Sequence, residues 1–189
     1  MERPLTLRPA LLLDLDGTIR TSKSGAQFIA GAHDIELTND LVEPILWQYK
    51  IRGWVIFGVT NQGGVAHGYK TLKDVLEESI ATQAQFKRNP IDFIYYSAHD
   101  PKGKIVPFNT RSLLRKPYYG MAVQAEVMCR EEGGIIVDWD KSIMVGDRDE
   151  DKGMAKAIDV KYYHPDKFFT FEHLTEMRST FIPPKPNKQ

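Results

Sequence analysis

At 189 residues the chain is long enough for one domain with a sizeable core, and 42% hydrophobic against 26% charged residues excludes a disordered polypeptide. Lysine plus arginine and aspartate plus glutamate each number 25, so no overall field draws the protein to nucleic acid or an anionic membrane. The single cysteine, Cys129, excludes an internal disulfide, no stretch is apolar enough to span a bilayer, and Asp14 interrupts the first apolar run too early for a secretory leader, so the cytoplasm is the expected location.

Residues 1–9 form a charged, proline-containing lead-in. Residues 10–15 are predicted as a strand buried on both faces, ending in Asp14-Leu15-Asp16-Gly17-Thr18. Period-2 geometry sends Asp14 and Asp16 to the same side of its carboxyl end, and Gly17 lets the chain turn away. Residues 17–37 read as a loop or small flap above that end. A helix is predicted over 38–52, with Leu41, Ile45 and Tyr49 on one face and Gly53 as its stop.

A second buried strand covers 54–59 and runs into Thr60-Asn61-Gln62-Gly63-Gly64. The spacing predicts a helix over 69–88, with Thr71 and Asp74 as a capping pair and Leu72, Val75, Leu76 and Ile80 as its apolar stripe. A strand at 93–96 leads into a solvated loop over 98–114 that carries Lys102, Lys104 and Arg111. Arg115-Lys116-Pro117 is predicted to open a helix that Gly133-Gly134 closes, with Cys129 in the core beside Ala125 and Met128. A strand at 142–146 ends at Asp147; a short helix over 149–158, a strand at 160–163 and one helical turn within 165–181 complete the pattern.

Strands alternating with helices predict an α/β fold. We expect a three-layer, Rossmann-like parallel sheet of about five strands, helices on both faces and no large cap domain. One domain is expected over 1–181 and a loose tail over 182–189. Loops leaving parallel strands converge on one edge, which would collect Asp14, Asp16, Thr60, Asn61, Lys116 and Asp147. Those groups suit an aspartyl-phosphate reaction. One carboxylate attacks phosphorus and Mg²⁺ offsets the anionic repulsion, while a second carboxyl moves the proton and a cation with fixed donors holds the phosphoryl oxygens. Lys116 at a helix start would add free backbone N–H groups to its pull on an anion.

Asp14-Leu15-Asp16-Gly17-Thr18, Val59-Thr60-Asn61, Arg115-Lys116-Pro117 and Met144-Val145-Gly146-Asp147 with Asp151 resemble, in order and spacing, the four motifs of the haloacid dehalogenase (HAD) superfamily of phosphatases. The resemblance implies Asp14 as nucleophile and Asp16 as acid/base. It also implies Thr60, Asn61, Arg115 and Lys116 as phosphate or substrate ligands. Mg²⁺ would be held by Asp14, Asp147 and the backbone carbonyl of Asp16, with Asp151 in support. The surrounding residues are similar to the small-cap branch of heptose-bisphosphate and histidinol-phosphate phosphatases and polynucleotide 3′-phosphatases.

Many heptose-type members carry a cysteine-rich zinc loop before Arg-Lys-Pro. Here those stretches read Ser97-Ala98-His99 and Ser112-Leu113-Leu114, so no zinc is expected and His99 reads as a loop or core residue. The expected substrate is a small-molecule phosphate ester, foremost a sugar phosphate. A polynucleotide 3′-phosphatase is the enzymatic alternative, and a non-enzymatic phosphoreceiver the alternative of another class. No membrane partner is expected, and the oligomeric state is left unassigned.

Overall fold

The lead-in is more ordered than its composition predicts: β1 (Thr6–Arg8) pairs in parallel with residues 135–137 to form a small separate sheet. The computed structural model describes residues 5–180, so the tail expected over 182–189 lies outside the described part. β2 (Ala10–Leu13) is the buried strand predicted from the apolar run. It ends two residues early, because the Leu15 carbonyl accepts the N–H groups of Thr18, Ile19 and Arg20 and coils the chain. Asp16 is therefore placed by a tight coil rather than by strand alternation.

The flap contains an antiparallel hairpin, β3 (Arg20–Ser22) with β4 (Ile35–Leu37), whose loop is gathered by Asp34. Its carboxylate accepts the backbone N–H groups of Ser24, at 2.7 Å, and Ala30, at 3.0 Å. Next come α1 (Val42–Ile51), β5 (Val55–Asn61), a short α2 (Gly64–His67) and α3 (Leu72–Ala84). Thr71 and Asp74 form the predicted capping box at the start of α3. β6 (Phe93–Ser97), α4 (Gly120–Gly133), β7 (Ile135–Val137), β8 (Ile143–Val145), α5 (Asp149–Ala157) and β9 (Lys161–Tyr163) follow. The described chain closes with α6 (Pro165–Phe168) and α7 (Phe171–Thr180), more helix than the single turn expected there.

The main sheet has the order β6-β5-β2-β8-β9, and every pairing in it is parallel. β2 is central, and its alternation splits the core. Leu11 and Leu13 face α1 and α7 through Ile45, Leu46, Tyr49 and Leu174, whereas Ala10 and Leu12 face α4 and α5 through Met121, Ala125, Cys129 and Met154. This is the predicted three-layer α/β fold. Among the described residues no helix is long and apolar enough to cross a membrane, and no cap domain stands above the sheet.

Two expectations require correction. The helix predicted from 115–117 starts only at Gly120. The Lys116 N–H and C=O are both hydrogen-bonded to the Asn61 side chain, which removes them from any helical ladder. Lys116 therefore offers no free helix-start N–H to an anion. The second concerns α3, where only Val75 of the predicted stripe is buried. Leu72, Leu76 and Ile80 are exposed, whereas Glu78, Ser79 and Thr82 face inward. The cause is Arg20, a fully buried cation that requires acceptors, which α3 supplies by turning its polar side to the protein.

Candidate active site

Asp14 leaves the central strand at the edge where β5 and β8 also end. Its N–H donates to the Val145 carbonyl at 2.9 Å, so the backbone is still tied to β8 where the carboxylate emerges. One carboxylate oxygen accepts a hydrogen bond from the Lys116 ammonium, and the other accepts a long one, 3.4 Å, from the Thr18 hydroxyl. Lys116 Nζ also donates to the Val59 carbonyl at 2.7 Å and lies 2.6 Å from Asp151 Oδ1. Lys116, Asp14 and Asp151 are all buried.

Burial raises the Asp14 carboxyl to about 6, with Asp151 adding to the rise and Lys116 opposing it. Burial favours the neutral amine at Lys116, yet Asp14 and Asp151 together hold it above its usual value. Asp147 is also raised, by burial and by the charge of Asp14. Asp14, Asp147 and Asp151 each offer an oxygen within 4.8 Å of the others.

Two glycines make this crowding possible. A Cβ on Gly17, whose φ is +84°, would stand 2.6 Å from Asp147 Oδ2, and one on Gly146 would stand 2.3 Å from the Asp151 Cγ. Asp147 Oδ1 is buried without a hydrogen-bond partner among the described residues. A hard, all-oxygen donor set with one buried and unsatisfied oxygen suits Mg²⁺.

Asp16 belongs to the same edge but not to this cluster. Its carboxylate accepts from Arg20 Nε at 2.8 Å and from Gln62 Nε2 at 2.7 Å. Burial works against ionisation there, but Arg20 and Gln62 keep the carboxyl below its usual range. The Gln62 amide also donates to Thr60 Oγ1 at 2.9 Å, which leaves the buried Thr60 hydroxyl proton available to an incoming acceptor.

Asn61 is placed differently from the expected phosphate ligand. Its Oδ1 accepts the Lys116 N–H at 2.9 Å and its Nδ2 donates to the Lys116 carbonyl at 3.0 Å, so it fixes the backbone beneath the lysine. Arg115 is likewise engaged within the protein. Nη1 donates to the His99 carbonyl at 2.9 Å and Nη2 to Asp100 Oδ2 at 3.0 Å, beside Gly63 in the loop after β5. Asp151 has its second oxygen on the Arg148 N–H at 3.0 Å, joining α5 to the lysine.

The structure thus brings Asp14, Lys116, Asp147 and Asp151 together and places Asp16 and Thr60, joined through Gln62, at the same edge. Sequence reasoning missed Gln62 and Arg20. Gln62 follows directly on Thr60-Asn61 at the same strand end and could have been included on position alone. The only signal for Arg20 was the inward run of Glu78, Ser79 and Thr82 opposite the apolar residues of the same helix.

Comparison with known proteins bears on the family and the fold. A family model described as polynucleotide kinase 3 phosphatase matches residues 10–169. A D-glycero-beta-D-manno-heptose-1,7-bisphosphate 7-phosphatase of Salmonella typhi is 32% identical over 158 residues, covering 80% of this chain and 77% of that protein. The corresponding enzyme of Escherichia coli K12 is 30% identical, covering 80% and 75%. Among solved structures, a Mesorhizobium loti protein described as a HAD-like phosphatase superposes with a TM-score of 0.73 at 20% identity, covering 100% of this chain and 93% of that one. The D,D-heptose 1,7-bisphosphate phosphatase of B. bronchiseptica, complexed with magnesium and phosphate, gives 0.64 at 17% identity, covering 94% and 89%.

Proposed function

The chain belongs to the polynucleotide kinase 3 phosphatase family, within the HAD superfamily, and is a phosphoric monoester hydrolase; from that premise we propose that it hydrolyses a small sugar phosphate with Mg²⁺, through a phosphorylated Asp14. The observation that carries the mechanism is the cluster of three carboxylates, Asp14 and Asp151 buried on the Lys116 ammonium and Asp147 half-buried beside them. Three acids in that space repel one another, and a lysine plus a divalent cation is the neutralisation that their geometry invites.

In this reading the Asp14 carboxylate attacks phosphorus as the ester oxygen leaves with a proton from Asp16. Asp16 then takes a proton from water, which attacks phosphorus and frees Asp14. Lys116 and the Thr60 hydroxyl hold the phosphoryl oxygens, and Asn61 keeps the lysine backbone in place. Asp14, Asp147 and the Asp16 carbonyl would hold Mg²⁺, with Asp151 as the counter-charge to Lys116. The ion would supply positive charge to the transferring oxygens. Arg115 acts by bracing the 98–100 loop against the loop after β5. We propose no zinc site at 97–114, where the histidine His99 stands without a thiolate partner.

The heptose-bisphosphate phosphatases among the relatives and the balanced charge of the chain support the sugar-phosphate reading. The family description favours a second reading, a polynucleotide 3′-phosphatase, which a site with no cap domain among the described residues has room to admit. The phosphoreceiver alternative is set aside by the phosphatase relatives. A panel of phosphorylated sugars assayed beside a 3′-phosphorylated oligonucleotide tests the choice. The proposal expects turnover of a sugar phosphate, abolished by EDTA and restored by Mg²⁺. Preferential release of phosphate from the oligonucleotide would transfer the assignment to the second reading.

Asp147→Ala is expected to raise the Mg²⁺ concentration for half-maximal activity by roughly tenfold or more. A magnesium titration of initial rates reads this directly, and an unchanged midpoint removes Asp147 from the metal site.

A further inference from the structure

Arg20 is 1% exposed and every edge of its guanidinium is engaged. Nε donates to Asp16 Oδ1 at 2.8 Å, while Nη1 donates to Thr82 Oγ1 at 2.8 Å and to the Glu78 carbonyl at 3.2 Å. Nη2 lies 3.5 Å from Glu78 Oε2. Glu78, also 1% exposed, accepts from Lys70 Nζ at 2.8 and 2.9 Å, and Lys70 lies 3.4 Å from Gln62 Oε1. Gln62 closes the circuit on the second oxygen of Asp16.

Burying this many charges is unfavourable unless each is paired, and α3 exposes three large apolar side chains in order to supply the pairs. Holding the Asp16 carboxylate by both oxygens fixes its plane. Such fixing matters for a proton that must meet one particular atom, where a displacement of about 1 Å lowers rates by roughly 10²-fold.

We propose that Arg20 is a positioning residue for proton delivery: anchored on α3 by Thr82 and Glu78, it aims Asp16 at the departing ester oxygen. The inference rests on the acid/base role proposed above for Asp16. In the transfer step the Asp14 O–P bond forms, the P–O ester bond breaks and the proton carried by the protonated form of Asp16 passes to the leaving oxygen. Asp16 is left as the carboxylate that Arg20 and Gln62 hold. An alkoxide needs that proton, whereas 4-nitrophenolate leaves without it.

The test compares kcat/KM, which reports events only through phosphoryl transfer, for an alkyl phosphate turned over in the panel above and for 4-nitrophenyl phosphate. Arg20→Lys is expected to lower the alkyl value at least about tenfold more than the aryl value. Thr82→Val, which keeps Arg20 and removes one of its anchors, should give a differential of about threefold. It decides the matter alone if Arg20→Lys melts below the assay temperature. Equal losses on both substrates, or no loss, would assign Arg20 to fold support and overturn the inference. Asp16→Asn separates the two layers. A selective alkyl loss there with none in the Arg20 and Thr82 variants sinks only the positioning role, whereas no selective loss in Asp16→Asn removes the acid role and this inference with it.

Discussion

Asp14→Asn is expected to lower turnover of 4-nitrophenyl phosphate by on the order of 10⁴-fold or more, because an amide cannot make the carboxylate attack that the proposed mechanism requires. The protein should remain folded. Asparagine fills the same space, and Lys116 keeps Asp151 as its partner at 2.6 Å. The stability effect has a definite sign. Asp14 has its folded value raised to about 6, above the ordinary 3.8, by burial and by Asp151 against the pull of Lys116. Its contribution to stability is therefore complete below pH 4 and is lost as pH rises through 6. In metal-free buffer at pH 7.5 the asparagine variant should melt at or above the wild-type temperature. Activity above about 1% of wild type would remove Asp14 as the nucleophile.

Lys116→Met carries the largest expected stability change. The ammonium is the cation between Asp14 and Asp151, and it also satisfies the Val59 carbonyl. Methionine keeps most of the apolar stem but leaves two buried carboxylates facing each other, a change that costs about 3–5 kcal/mol. For a chain of this size that corresponds to a fall in Tm of roughly 10 °C. Magnesium should raise the Tm of the variant more than that of the wild type, since a divalent ion can replace part of the missing charge. A thermal melt with and without Mg²⁺ checks both statements, and an unchanged Tm would show that the acids do not depend on the lysine.

The parts of the site legible in the sequence are those that hang on strand ends. Asp14, Thr60 and Asp147 each follow an apolar run that can only be a buried strand, and parallel strands send their carboxyl ends to one edge. What escaped depends on contacts between distant segments. The amide of Asn61 looked free because its partner is a backbone unit 55 residues away. Pro117 suggested a helix start, yet the Asn61 clamp delays the helix to Gly120. On α3 two faces competed, and the apolar one lost because a buried guanidinium outweighs exposing Leu72, Leu76 and Ile80. The strands of the flap are three residues each, too short for any alternation to register.

The position of β2 between β5 and β8, with Ala10 to Leu13 fully buried, has a consequence for motion. Amides in the middle of such a sheet exchange with solvent only when the whole molecule unfolds, so residue 14 is carried by the slowest-exchanging segment. The tip of the β3–β4 hairpin, residues 23–28, is exposed and can open at far smaller free energy, while Arg20 at its base stays anchored on α3. Motion at that tip therefore leaves the aim of the Asp14 carboxylate unchanged.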